Sequence, residues 1–166
     1  MNVRLWYPHL DVYDTVRRML ALIVAWPERD MTPERLYVSD FYLASPGLLH
    51  KTRMVSDMRR EFQALSIMRP EKGFLSYPSP QMLFVKMEPV QKEALRTIVG
   101  KGFVAIEPLR QGRIEGGDKL PEIADTVFVT QAERRVVEFL VETFARIGAD
   151  APGELRLSTG LRRPGT

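Results

Sequence analysis

The sequence has 166 residues, of which 45% are hydrophobic, and it carries a formal net charge of +3 at pH 7. This composition is far from that of a disordered chain and predicts a real core. The lack of cysteine excludes a disulfide framework and a thiolate zinc site, and it fits a cytoplasmic protein. No run approaches the 18 apolar residues of a membrane-spanning helix, so we predict no membrane contact. The mildly basic charge permits nucleic-acid binding without requiring it.

Two helices are predicted in the first third of the chain. The first covers about residues 11–26, where apolar side chains recur at helical spacing, and Pro27 ends it. Its second half is apolar nearly all round, which indicates burial on two sides. The second helix begins at the N-cap Thr32, with Pro33 in the first helical position. The Ser-Pro-Gly sequence at 45–47 ends it, because the residue before proline avoids the helical region.

The middle of the chain is predicted to combine helices with short strands. A third helical pattern covers about residues 48–67, and the proline-containing segment 69–80 is predicted to be a loop. Residues 82–87 suit a short strand, and a fourth helix is predicted from about Pro89 to Val99. Beyond it, residues 103–107 and 113–115 are predicted to pair as a β-hairpin around a turn at 110–112.

The last predicted helix has the clearest start. Thr130 and Glu133 form a capping box, and apolar residues then line one face as far as Ile147. Together the elements predict a mainly α fold with a small β component, a winged-helix-like single domain over residues 1–148. Its helical part is expected at 9–68, its wing part at 80–128 and its C-terminal helix at 130–147. Residues 149–166, which include two prolines and three glycines, are predicted to be a flexible tail.

The sequence offers little catalytic or metal-binding chemistry. Its only histidines, His9 and His50, lie far apart and have no cysteine beside them, so we predict no metal site. Lys86 and Glu88 would share one face of the predicted strand, as in nucleases that combine carboxylates with a lysine. Such a site needs a second carboxylate close by, and the sequence does not place one there. We therefore predict no catalytic and no cofactor-binding residues, with a small nuclease using Glu88 as a minor alternative.

Basic residues form groups on the third helix, at the tip of the predicted hairpin and in the tail. In a DNA-binding winged helix, a basic wing tip contacts phosphates beside a recognition helix in the major groove. A solvated surface is the alternative interpretation of each group. The candidate DNA-binding residues are Lys51, Arg53, Arg59, Arg60, Arg110 and Arg113.

Aromatic residues crowd the first third of the chain, and most are expected in the core. Some precede the first helix, where an aromatic arm either docks on a partner or packs on its own domain. The second helix has a broad apolar face and a single arginine, which suits a scaffold or a protein partner better than DNA. The candidate partner-binding residues are Leu5, Trp6, Tyr7, Tyr37, Phe41 and Tyr42.

Two motifs resemble those of a known protein family. The first is a helix ending in a D-[FY]-x-L-x-x-P pattern, here Asp40, Phe41, Leu43 and Pro46. The second is a P-x-Q-x-x-A-L pattern ahead of a lysine-glycine-hydrophobic step, here Pro89, Gln91, Ala94, Leu95, Lys101, Gly102 and Phe103. With the segment Leu5–Ile23, they resemble the middle components of bacterial ABC three-component systems, a group that includes Lamassu-type anti-phage and anti-plasmid systems. The resemblance covers roughly residues 5–145.

The resemblance implies a non-enzymatic accessory subunit without a cofactor. Such a protein is expected beside an SMC- or Rad50-like ATPase and an effector, commonly a nuclease, from the same operon. It would bridge the ATPase to the effector or to double-stranded DNA. The alternative function is a stand-alone winged-helix transcription regulator, which would form a homodimer and bind a palindromic site.

Overall fold

A computed structural model of the chain describes residues 8–27, 30–70, 79–151 and 153–164. Helices connected by short turns make up this part of the chain, and none of it forms a strand. The predicted winged-helix fold with a small β component is therefore wrong. Most of the predicted helices are present, whereas the predicted strands are not.

Helices α1 (Val12–Ala25) and α2 (Pro33–Ala44) confirm the first two predicted helices. The carboxylate of Asp11 caps α1 by accepting a hydrogen bond from the backbone N–H of Asp14. The Thr32 hydroxyl does the same for α2 through the N–H of Arg35. Both caps are local, which is why the sequence alone reveals these helix starts.

The third predicted helix is divided into two pieces. Residues Pro46–Lys51 form a 3₁₀-helix, and α3 covers only Ser56–Ala64. A short extended segment separates them, in which the backbone N–H of Arg53 donates to the carbonyl of Ser158. The C-terminal part of the chain therefore lies across this break.

Helix α4 (Pro80–Gly100) replaces both the predicted strand at 82–87 and the shorter helix predicted from Pro89. Its buried residues recur every three or four positions, which is the spacing of a helix rather than of a strand. Pro89 lies inside α4 and does not begin it. The true start is Ser79, whose hydroxyl accepts from the N–H of Met82.

The predicted hairpin is also wrong. Residues Ile106–Arg110 form the short helix α5, and Leu120–Ile123 form α6. The flanking segments do approach each other, but only at a single antiparallel bridge between Val104 and Gly116. A Cβ on Gly117 would lie 2.2 Å from the carbonyl oxygen of Gly102, so the two backbones nearly touch there. No wing projects from this region.

Helix α7 (Gln131–Glu138) begins with the predicted capping box, in which Thr130 and Glu133 exchange hydrogen bonds. The helix continues as a π-helical turn at Phe139–Thr143 and a 3₁₀ turn at Phe144–Arg146. The predicted helix at 130–147 is thus present, but its second half is not α-helical.

The segment predicted as a flexible tail contains helix α8 (Glu154–Thr159). Leu155 of this helix is buried, and so are Leu161 and Arg163, which follow it. Glycine residues with positive φ stand at both ends of α8, at Gly153 and Gly160. The end of the described chain therefore packs on the helical body.

One continuous apolar core joins these elements. Helix α1 packs most extensively on α4 and also on α2, while α7 contacts both α1 and α2. Edge-to-face aromatic contacts connect α2 to its neighbours. The ring centroids of Phe41 and Phe84 lie 5.6 Å apart, and those of Tyr42 and Phe144 lie 5.3 Å apart. Within the described ranges, every helix is too short or too polar to cross a bilayer.

Candidate functional site: a buried polar centre and two exposed faces

A buried ion pair lies where α1 and α2 meet. The Nε of Arg18 donates to Oδ1 of Asp40 at 2.7 Å, and both residues are at most 1% exposed. The guanidinium also donates to the Asp14 carboxylate, the Thr15 hydroxyl and the carbonyl of Pro8. A buried charge is stable only when it is paired and its hydrogen bonds are satisfied, and this arrangement meets both conditions for Arg18.

The polar centre extends from Asp40 into α4. The side-chain amide of Gln91 donates to Oδ2 of Asp40 at 2.7 Å and to the carbonyl of Tyr37 at 3.0 Å. Its oxygen accepts a hydrogen bond from Arg163 in the C-terminal segment. A single amide therefore connects α2, α4 and the C-terminal segment. Asp40 belongs to one and Gln91 to the other of the two motifs that carry the family resemblance.

Arg163 closes the polar centre on the side of the C-terminal segment. It donates to the carbonyl of Phe84 at 2.8 Å, and its guanidinium lies 4.0 Å from the centroid of the Phe84 ring. The ring of Tyr37 lies 5.1 Å away. Burial lowers the pKa of Arg163, and the charges of Glu88, Tyr37 and Asp40 oppose that shift. The residue works as a cation packed between two aromatic rings.

This centre joins α1, α2, α4 and the C-terminal segment through side-chain hydrogen bonds. Its carboxylates already accept bonds from arginine and glutamine side chains, and its members are shielded from solvent. The described residues contain no group of three or more histidine, cysteine, aspartate or glutamate side chains that could bind a metal ion. The Glu88 carboxylate considered for a nuclease lies on α4 and pairs with Lys92 at 2.6 Å.

Sequence reasoning missed the roles of Arg18 and Arg163. The signal for Arg18 was a charge next to the apolar run of the first helix, matched by an aspartate, Asp40, in the apolar second helix. Arg163 carried no such signal, because it follows a segment predicted to be flexible. Neither partner can be found from local spacing, since the contacts join residues far apart in the chain.

The candidate DNA-binding residues separate into two groups. Lys51 ends the 3₁₀-helix and Arg53 lies in the break before α3. Both are exposed, and Arg59 donates to the carbonyl of Thr52 between them at 2.5 Å. Arg60, on α3, is exposed and lies 3.8 Å from Asp57. Arg110 and Arg113 are exposed around α5 rather than at a wing tip, and they pair with Glu107 and Glu115. Arg59 thus lies beside the segment between Lys51 and Arg53, and none of the six stands on a wing.

The candidate partner-binding residues lie in different environments. Leu5, Trp6 and Tyr7 lie outside the described residues. Phe41 and Tyr42 are core residues, 0% and 2% exposed, and burial raises the pKa of Tyr42 to about 12 despite a hydrogen bond from Thr52. Their side chains face the interior and do not form a docking surface. Tyr37 is half-buried and lines a surface groove.

That groove, here called the α4–α5 groove, runs along the surface of α4 and has a volume of about 360 Å³. Its floor and walls are mainly apolar, and its only charged lining residues are two cations on α4. It is open to solvent and shallow. The lining residues are Tyr37, Lys92, Leu95, Arg96, Val99, Gly100, Ile106 and Leu109.

The described residues form a helical domain with a buried polar centre, exposed basic side chains at Lys51, Arg53 and Arg60, and the apolar α4–α5 groove. The family model for the ABC-three component (ABC-3C) system Middle Component 5 matches residues 4–163, and the chain belongs to this family. The resemblance to ABC three-component middle components is thereby confirmed. Neither the curated proteins nor the solved structures gave a significant match.

A middle component implies partners from the same three-component system. The match extends well beyond residues 5–145, where the sequence motifs had placed the resemblance. It includes α8 and Arg163, so most of the segment predicted to be a flexible tail lies within the residues that the family model matches.

Proposed function

We propose that the chain is a non-catalytic accessory subunit that bridges an SMC- or Rad50-like ATPase to its effector, a nuclease, or to DNA. The complex would act in anti-phage or anti-plasmid defence, as in systems of the Lamassu type. The observation that carries the proposal is the family match, which spans nearly the whole chain and names a middle component. The structure is consistent with a role in binding, because the ionisable side chains of its polar centre, Arg18, Asp14 and Asp40, already bond to other residues of the chain.

Two faces support a bridging role. The α4–α5 groove offers apolar surface of the kind that proteins bury at interfaces. The face around Lys51 and Arg53 offers exposed cations of the kind that contact phosphates. They are built from different helices, so one partner could bind each face.

The bridge is tested by co-expressing the tagged chain with the two other components of its system. We expect a ternary complex that survives size-exclusion chromatography, and each pairwise combination shows which component the chain contacts. A chain that elutes alone in every combination would overturn the proposal. Activity of the effector should depend on the chain only when the ATPase is also present.

Direct DNA contact is a narrower part of the proposal and has its own test. Binding to a fluorescent duplex should weaken steeply as salt rises and should not depend on sequence. The double variant Lys51→Glu/Arg53→Glu should reduce affinity at least tenfold. The matched variant Arg110→Glu/Arg113→Glu removes the same charge from cations that already pair with Glu107 and Glu115, and it should have a smaller effect.

A further inference from the structure

The α4–α5 groove has the properties of a binding site for a helix. Three of its residues, Leu95, Val99 and Leu109, are buried or half-buried and form an apolar floor. Ile106 at the start of α5 is 49% exposed, which is high for an isoleucine in a folded domain. An open apolar groove of this kind suits the apolar stripe of an amphipathic helix better than an enclosed small molecule.

The positive charge of the groove lining indicates that a partner would carry negative charge there. Lys92 and Arg96 are the charged lining residues, one helical turn apart on α4, with side chains 51% and 74% exposed. Among the residues that the structure describes, each pairs with a carboxylate of its own helix, Lys92 with Glu88 and Arg96 with Glu93. Exposed pairs of this kind are weak, so a carboxylate on a bound partner can replace one of them at little cost.

The wall of the groove is held in place from inside the protein. Tyr37 lines the groove, its carbonyl accepts from Gln91, and its ring stacks beneath the guanidinium of Arg163. The buried polar centre therefore fixes the position of this wall before any partner binds. A preorganised surface loses less conformational entropy on binding.

One end of the groove is open down to the backbone. Gly100, the last residue of α4, lines the groove, and a Cβ added there meets no atom within 4 Å. A side chain at this position would occupy the groove without displacing the core. The chain thus provides a position where the groove can be filled and the fold kept.

We propose that the α4–α5 groove binds an amphipathic helix of a partner subunit, with its apolar stripe on Leu95, Val99 and Ile106 and acidic residues facing Lys92 and Arg96. This inference rests on the proposed function, because it supplies the surface through which an accessory subunit would bind one of its partners. The apolar floor, with only two cations at its rim, favours this occupant over a DNA duplex, whose affinity comes mainly from many cations in contact with its phosphates.

The test uses the full-length chain with each of the two other components of its system as separate probes. Gly100→Glu fills the groove and adds a negative charge, and Lys92→Glu/Arg96→Glu reverses the charge of the rim. Both should weaken binding to one component at least tenfold. Lys101→Glu is the control, since it makes a larger negative charge change than Gly100→Glu at the adjacent residue, which does not line the groove, and it should bind within twofold of the wild type.

The possible outcomes distinguish this inference from the proposed function. If the wild type binds a component and the groove variants bind it equally well, the groove is not the site, while the accessory role stands. If Lys101→Glu weakens binding as much as Gly100→Glu, overall charge explains the effect and the inference fails. If the groove variants only abolish self-association in sedimentation, the occupant is a second copy and the inference also fails. If the wild type binds neither component, the proposed function fails and the inference with it.

A fold control accompanies every variant. Far-ultraviolet circular dichroism and thermal melting of Gly100→Glu and of Lys92→Glu/Arg96→Glu should match the wild type, because all three positions face open space or solvent. Should one variant unfold, the other still decides the question, since the two act on the groove independently.

Discussion

Asp40 and Gln91, which lie 51 residues apart in the chain, are joined by a hydrogen bond of 2.7 Å in the buried centre of the protein. Each belongs to one of the two motifs through which the sequence resembles the middle components. The motifs are therefore halves of one structural feature. On the other side of Asp40, Arg18 binds the same carboxylate, so that a single side chain fixes α1 and α4 against α2.

The first prediction concerns this carboxylate. Asp40→Ala should lower the free energy of unfolding by about 3–5 kcal/mol, because it leaves the buried Arg18 with an incomplete set of partners. Urea denaturation monitored by circular dichroism measures the change. Asp57→Ala is the matched control, since its 3.8 Å pair with Arg60 is exposed and its loss should cost about 0.5 kcal/mol or less. A loss below about 1 kcal/mol for Asp40→Ala would show that the centre is not essential.

The second prediction concerns the C-terminal segment. Arg163→Ala should destabilise the protein by about 2–3 kcal/mol, because it removes the cation–π contact with Phe84 and leaves the oxygen of Gln91 without this donor. Chemical denaturation of the wild type and of Arg163→Ala measures this loss of stability. The neighbouring Arg162 is exposed and is held by Gln81 through its backbone alone, so Arg162→Ala should change stability little. Equal effects of the two substitutions would contradict the structural role assigned to Arg163.

The third prediction concerns pH. Burial by itself raises the pKa of Glu133, but hydrogen bonds from Arg17 and from the Thr130 backbone, with the charge of Arg17, hold it below its ordinary value. A carboxylate with a lowered pKa in the folded state stabilises it above the ordinary value of 4.5, and this contribution is lost as the pH falls through the lowered pKa. Glu133→Gln should therefore cost about 1 kcal/mol at pH 7 and progressively less as the pH falls below about 4.5.

Urea midpoints of the wild type and Glu133→Gln between pH 7 and pH 3 measure that difference. The other carboxylates are the same in both proteins, so their titration cancels in the comparison. A difference that stays constant with pH would mean that the charge of Glu133 does not stabilise the folded state.

The fourth prediction concerns the region once expected to be a wing. Gly117→Ala should destabilise the protein by about 2–3 kcal/mol, because its Cβ would overlap the carbonyl of Gly102 at 2.2 Å. Gly100→Ala, where a Cβ meets nothing within 4 Å, should be neutral or slightly stabilising in the helix. Thermal melts of the two variants check the contrast. Similar melting temperatures would show that the two backbones can separate at the bridge between Val104 and Gly116.

Features set by neighbouring residues could be predicted from the sequence. The caps at Thr32 and Thr130 and the proline after α1 determine helix ends through contacts within a few residues. The family resemblance was equally accessible, because its motifs are short. The buried polar centre was not, since it depends on which helices pack together.

The errors in the β region have a physical explanation. The run of apolar residues at 82–87 fits a short strand and a buried helix equally well, and Pro89 then suggests a new helix start. In the structure α4 tolerates Pro89 in its interior, and Arg163 donates to the carbonyl of Phe84 in the preceding turn. Tertiary contacts of this kind override local preference. A turn was predicted at 110–112 and residues 111–112 do form one, but the segment before them is α5 and not a strand.

The π-helical turn at Phe139–Thr143 limits how the length of this protein can change. A π turn holds one residue more than the α-helix it interrupts, and each α-helical residue advances by about 100° around the axis. Removing one residue there would rotate everything beyond Thr143 by about that angle and turn Phe144 away from Tyr42, whose ring centroid lies 5.3 Å from its own. Relatives that keep this aromatic contact should therefore align through the turn without gaps, even where their side chains differ.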